Sequence, residues 1–132
     1  MQREAVRRWI ARYERAWRSP GTDALAELFA PDATYRTAPF ERPHVGLAGI
    51  AKLWEAEREG PDEVFEMTSE LVAADGPTAV VRVEVFYGAP LGRHYRDIWI
   101  MRFNDAGLCT EFEEWPFSPR DLDGAFGAGP PA

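Results

Sequence analysis

A single cysteine, Cys109, in a chain of 132 residues excludes an internal disulfide and any cysteine-built metal cluster. Histidine is nearly as scarce. His44 and His94 stand far apart with no patterned acid pair beside them, so no metal-ligand spacing is present. Positive charge is also short: the formal net charge is −7. Nothing would neutralise phosphates in bulk, which argues against nucleic acid and against docking on anionic membranes. No apolar run approaches the roughly 20 residues of a membrane helix. The opening "MQREAVRRWIARYERAW" is charged throughout and lacks a signal-peptide apolar core. No phosphate loop, dinucleotide fingerprint or Ser-His-Asp arrangement occurs, and "GLAG" is none of these. The expectation is a soluble cytoplasmic protein that works without a cofactor and without a metal.

What is abundant is apolar and aromatic: 45% hydrophobic residues, 13% aromatic, five tryptophans. That suffices for one domain with one core. Val6, Trp9, Ile10, Tyr13 and Trp17 recur at helical spacing and predict a first helix. "DALAELFA" predicts a short second one, stopped by Pro31. "ATYRTAPF" reads as a strand broken by Pro39, and "ERPHVG" as a loop. "LAGIAKLWEAERE" predicts a third helix ended by "GP". The period then becomes alternating, with strand candidates "EVFEMTSELVAA", "TAVVRVEVFYG", "RHYRDIWIMRF" and "LCTEFEEWPF". The turns "DGP", "APLG" and "NDAG" make these strands antiparallel neighbours. Residues 1–118 form the expected domain, and 119–132 a flexible Gly/Pro/Ala-rich tail. The fold class is α+β: a cone-shaped, curved, mostly antiparallel sheet with three N-terminal helices enclosing a pocket.

The stretch "CTEFEEWPF" places Glu113 beside Glu114, and adjacent strand residues face opposite sides. With "NDAG" as the turn, Phe103 opposes Leu108, Asp97 faces Glu114 and Trp99 faces Phe112. Tyr95, Asp97, Trp99, Met101 and Phe103 share one face, and its aromatics make it the inner one. Glu114 then points inward and Glu113 outward. Two carboxylates in an apolar pocket cannot both stay ionised cheaply, so one keeps a proton or a cation lies between them. The strand "VVRVEVFYG" is ambiguous. Patterning sends its valines inward, but one residue of slip would instead bring Arg82 and Glu84 in.

The segments "LFAPDATYRTAPFERPHVGLAGIAKLW" and "IMRFNDAGLCTEFEEWPF" resemble the nuclear transport factor 2-like superfamily in its SnoaL-like branch. The similarity runs from Trp9 to Phe117. It implies the fold, whereas function has to come from the pocket. Limonene-epoxide hydrolase, a member, activates water with an Asp–Arg–Asp set. Its Arg-x-Asp motif resembles "RVE", Arg82 to Glu84, its last-strand aspartate falls on Glu114, and its water-holding pair on Tyr35 and Thr37. Both aspartates are replaced by the longer glutamate. Ketosteroid isomerase fits worse. Its helix tyrosine is matched by Tyr13, but its base is missing near Thr37 and its acid falls on Trp99, so that activity is not expected.

Three functions follow. The first is a cofactor-independent enzyme acting by acid–base chemistry on a hydrophobic small molecule, with epoxide hydration, dehydration, isomerisation or cyclisation as the reaction. Glu114 and Asp97 would trade the proton, Tyr35 and Thr37 would position water or a substrate oxygen, and Arg82 and Glu84 would complete the set. Tyr13, Trp17, His44, Trp54, Tyr95, Trp99, Met101 and Phe112 would form the substrate-binding wall. The second is a non-catalytic ligand-binding module, and the third a dimerising scaffold with a tryptophan-filled pocket. A homodimer through the outer sheet face would cover Ile98, Ile100 and Trp115.

Overall fold

The computed structural model of the protein describes residues 1–58, 63–88 and 93–119. The predicted "GP" helix stop, the "APLG" turn and the 119–132 tail beyond Pro119 lie outside the described residues.

Helix α1 (Arg3–Arg18) forms where the sequence places one apolar stripe among arginines and glutamates. Val6, Trp9, Ile10, Tyr13 and Ala16 are buried on that stripe. The Trp9 indole N–H donates to the Leu28 carbonyl at 2.9 Å, fixing α1 against α2 (Leu25–Leu28). α2 ends at Leu28 and the chain enters β1 (Phe29–Arg36), so Pro31, the expected helix stop, sits inside the strand. The predicted loop "ERPHVG" contains a two-residue strand, β2 (His44–Val45), and Gly46 then opens α3 (Gly46–Glu57). Gly46 has φ 74, and a Cβ there would stand 3.4 Å from the Pro31 carbonyl. The positive φ disfavours a side chain at that junction.

Strands β3 (Phe65–Asp75), β4 (Thr78–Tyr87), β5 (Arg93–Phe103) and β6 (Cys109–Phe117) form the predicted antiparallel meander. The six-stranded sheet has the order β2-β1-β6-β5-β4-β3, and only the β1–β6 pair is parallel. The architecture is the expected α+β cone, helices on the concave face of a curved open sheet. Bulges in β3 and β6 interrupt the ladders and add to the bending. At one end the concave face is packed solid. Trp9, Phe29, Phe103 and Phe112 meet there with ring centroids 5.6–5.9 Å from Trp9.

The β5–β6 register differs from the sequence reading by two residues. Trp99 pairs with Glu114, Met101 with Phe112, and Asp97 with Pro116. The loop is longer than "NDAG" alone: the Asn104 N–H donates to the Leu108 carbonyl, and Asn104 Oδ1 accepts from the N–H groups of Ala106 and Leu108. That loop moves the pairing by one, to Phe103 opposite Cys109. A bulge at Thr110 moves it by one more. Two single slips restore the facing, so Glu114 still points inward and Glu113 outward.

Candidate functional site

Where the helices diverge from the sheet, the concave face opens into a cavity of about 240 Å³. α1 contributes Tyr13 and Trp17, β1 and the residue after it Tyr35 and Thr37, and α3 Leu53, Trp54 and Glu57. The sheet contributes Phe65, Met67, Val85, Tyr87, Tyr95, Asp97, Trp99 and Glu114, with Glu63, Arg93 and Pro116 also lining the space. Arg58 braces the helical rim. Its guanidinium donates to the carbonyls of Ala16 (3.2 Å), Ser19 (2.9 Å) and Gly21 (2.6 Å), tying the end of α1 to the end of α3. The Ala16 carbonyl lies in the last turn of α1, so the guanidinium stands at the negative end of that helix.

Asp97 and Glu114 lie side by side on the inner face. Asp97 is only 5% exposed, while Glu114 is half-buried and open to the cavity. Their ladder positions are diagonal neighbours, close enough for long side chains to meet, and each carboxyl group influences the other's proton affinity. Burial, and after it the charge of Asp97, pushes Glu114 from the usual 4.5 up to about 8; a hydrogen bond from Tyr35 pulls the other way. Burial raises Asp97 from 3.8 to about 6, and the nearby Glu114 carboxyl and Trp99 indole act against it. The Trp99 indole lies near Asp97, yet neither Asp97 Oδ1 nor Trp99 Nε1 has a partner in good hydrogen-bond geometry.

A chain of hydroxyls leads to this pair. The Tyr35 hydroxyl donates to Glu114 Oε1 at 3.1 Å, and Tyr13 and Tyr35 share a 2.7 Å hydrogen bond. With the Tyr35 proton committed to Glu114, Tyr13 is the donor in that contact. Burial first, then the charge of Glu114, raises both phenols well above 10.0. Both therefore stay protonated and act as hydrogen-bond donors near neutrality. Glu114 reaches α1 only through Tyr35, not through a direct bond to Tyr13 or Trp17.

Of the residues expected at the site, Tyr13, Trp17, Tyr35, Thr37, Trp54, Tyr95, Asp97, Trp99 and Glu114 do line the cavity. Five do not. Met101 and Phe112 are buried one ladder step deeper, in the packed end of the core. His44 is half-buried in β2, paired with Tyr35 across the sheet edge and away from the cavity. Arg82 and Glu84 lie on the outer face. Arg82 pairs with Glu70 at 2.7 Å with both side chains more than half exposed. Glu84 pairs with His94 (2.6 Å) and Arg96 (3.1 Å), and those hydrogen bonds, His94's first, hold it below 4.5. Val81, Val83 and Val85 take the inner positions, because burying three valines is favourable and burying an arginine with a glutamate is not. An Arg82-centred Asp–Arg–Asp arrangement is therefore not assembled.

Several lining residues escaped the sequence reading. Tyr87 continues the inward parity of the three valines. Glu57 continues the α3 stripe of Ile50 and Trp54. Both signals were present in the spacing. Glu63 accepts a 2.9 Å hydrogen bond from the Trp17 indole, a contact between segments 46 residues apart that no local pattern announces.

Among the described residues no group of histidine, cysteine and carboxylate side chains is arranged to hold a metal ion, and no helix is long and apolar enough to cross a membrane. Residues 6–112 match the family model described as a SnoaL-like domain. No curated protein matches the sequence. Among solved structures, a candidate polyketide cyclase from Sinorhizobium meliloti is 26% identical with a TM-score of 0.63; the match covers 80% of this chain and 92% of that one. An epoxide hydrolase of the limonene-epoxide-hydrolase-like type from M. tuberculosis is 17% identical with a TM-score of 0.64, covering 83% and 80%. An NTF-2-like protein of unknown function from Burkholderia xenovorans is 17% identical with a TM-score of 0.69, covering 100% and 99%. The last two likenesses are of fold.

Proposed function

Because this chain belongs to the SnoaL-like domain family, whose fold carries many chemistries on one cavity, we propose that it is a cofactor-independent acid–base catalyst for a small molecule with an apolar body. The observation that carries this is the Asp97–Glu114 pair. Its two members are pushed apart in proton affinity, to about 6 and about 8, at the wall of an aromatic cavity. Near neutrality the pair holds one proton and one charge. Asp97 is then the base and Glu114 the acid, the division of labour general acid–base catalysis requires. Because the groups exchange protons, the two values belong to the pair rather than to either residue. Tyr35 holds Glu114 in place, and Thr37 at the cavity edge is placed to orient water or a substrate oxygen. The candidate polyketide cyclase and the epoxide hydrolase among the structural relatives support a ring-forming or ring-opening reaction. Such a reaction needs one proton removed and one delivered.

Two probe reactions test the reading: hydrolysis of 1-methylcyclohexene oxide, and deuterium exchange into 2-tetralone in D₂O, both followed by NMR. The expectation is a rate above buffer for at least one probe, reduced about 10²–10⁴-fold in Asp97→Asn and in Glu114→Gln. Turnover retained in either variant would show that the pair is not the catalyst. Failure of any apolar probe to bind would leave the scaffold alternative. We also propose a homodimer through the outer sheet face, where Ile98, Ile100 and Trp115 stay half-exposed and Val72 and Phe117 are each 43% exposed. Sedimentation at the mass of one chain would contradict it.

A further inference from the structure

The cavity's aromatic walls and its charges suit one kind of molecule. Among the described residues four carboxyl side chains line it, Glu57, Glu63, Asp97 and Glu114, against a single basic one, Arg93. Arg93 is exposed and lies over the Tyr87 ring, 5.0 Å from its centroid. Among the described residues no other arginine, lysine or histidine lines the cavity. Among those residues the inner pair is thus a buried negative site with no cation against it, and Asp97 Oδ1 has no hydrogen-bond partner. Around it stand Tyr13, Trp54 and Trp99, with Tyr13's ring 5.2 Å and 4.7 Å from the other two. Aromatic rings attract cations through their negative faces, most strongly where water is excluded.

Resting on the acid–base reading of the same cavity, we propose that the ligand is an organic cation: an apolar body bearing a protonated amine, with the ammonium seated against Asp97 and Glu114. Charge in a low-dielectric wall is costly unless it meets an opposite one, and among the described residues none is set against the pair. At neutral pH the pair carries one negative charge and one shared proton. The ammonium cancels the charge and leaves that proton available for chemistry. A carboxylate ligand would add a second anion beside the first and is rejected. A neutral ligand gains only the apolar contacts.

Three probes of equal shape separate these cases: 4-phenylbutylamine, 4-phenylbutan-1-ol and 4-phenylbutyrate, titrated at pH 7 against the tryptophan fluorescence of the cavity. The amine is expected to bind at least about tenfold tighter than the alcohol, and the carboxylate weakest of all. In the double variant Asp97→Asn/Glu114→Gln the amine-to-alcohol affinity ratio should fall to about one. Equal binding of amine and alcohol by the wild-type protein would overturn the cation proposal while leaving apolar-ligand binding intact. Persistence of the amine preference in the double variant would also overturn it. Absence of binding by all three probes would overturn both this proposal and the catalytic reading beneath it. The wild-type series alone decides the matter should the double variant fail to fold.

Discussion

Replacing Glu114 by glutamine perturbs the inner pair at its most strained member, and the effect on stability has a definite sign. Glu114 titrates at about 8 in the folded chain against an ordinary 4.5. The folded state therefore binds this proton more tightly than the unfolded one. Its stabilising contribution is complete below pH 4.5 and is lost as pH rises through about 8. At about 1.4 kcal/mol per tenfold change in proton affinity, the full span corresponds to about 5 kcal/mol. Water entering the open cavity solvates part of the second charge, so the expected loss is on the order of 2–5 kcal/mol. Glutamine keeps the shape and can still accept the Tyr35 hydroxyl, but it never ionises. Glu114→Gln and wild type should thus unfold at similar urea concentrations near pH 4.5. Above pH 8 the variant should be the more stable by that amount. Asp97 has the same sign over a lower window, from 3.8 to about 6, so the variant retains a smaller decline there. Urea midpoints with unchanged slopes at pH 4.5, 7 and 9 measure the difference. Parallel curves for the two proteins would refute the idea that Glu114 carries a raised proton affinity, and with it the assignment of Glu114 as the acid.

Arg82→Ala should cost less than about 0.5 kcal/mol, since its pair with Glu70 is solvent-exposed. It should leave probe binding unchanged in the fluorescence titration, and a lost affinity would show that Arg82 reaches the cavity after all. Cys109 is fully buried and its thiol is pushed up to about 12, chiefly by burial. A disulfide reagent at pH 8 should label it at least about a thousandfold more slowly in the folded protein than in urea, by thiolate fraction alone. Equal rates would mean that this end of the core opens readily.

How far the site was legible in the sequence depends on the distance over which each feature is encoded. The inward facing of Glu114 rests on alternation along one strand, a local property. It survived a register displaced by two residues because a longer loop and a bulge each moved the pairing by one. The identity of its partners is not local. Reading "NDAG" as a simple turn set Asp97 opposite Glu114, whereas the ladder sets Trp99 there and leaves Asp97 diagonal. Arg82 and Glu84 show the opposite lesson. The valine alternation already sent them outward, and the resemblance to a hydrolase motif suggested otherwise. Burial energetics decided for the valines. The sequence reads "ERPHVG" as a loop and His44 as part of the pocket wall. A two-residue strand instead holds it at the sheet edge.

Composition, helical stripes and strand alternation by themselves determined that this chain builds helices over a curved sheet, with one glutamate of "EEW" turned inward. Those properties follow from the backbone's own periods, 3.6 and 2, and need no knowledge of what lies across the fold. Tertiary structure alone decided that the tryptophans leave a cavity rather than fill it, that Tyr35 holds Glu114, and that among the described residues no basic side chain is set against the inner carboxylates. Each depends on how far apart segments are held, which is set by the packing of α1 and α3 against β1 and β6. No single stretch of sequence encodes that distance.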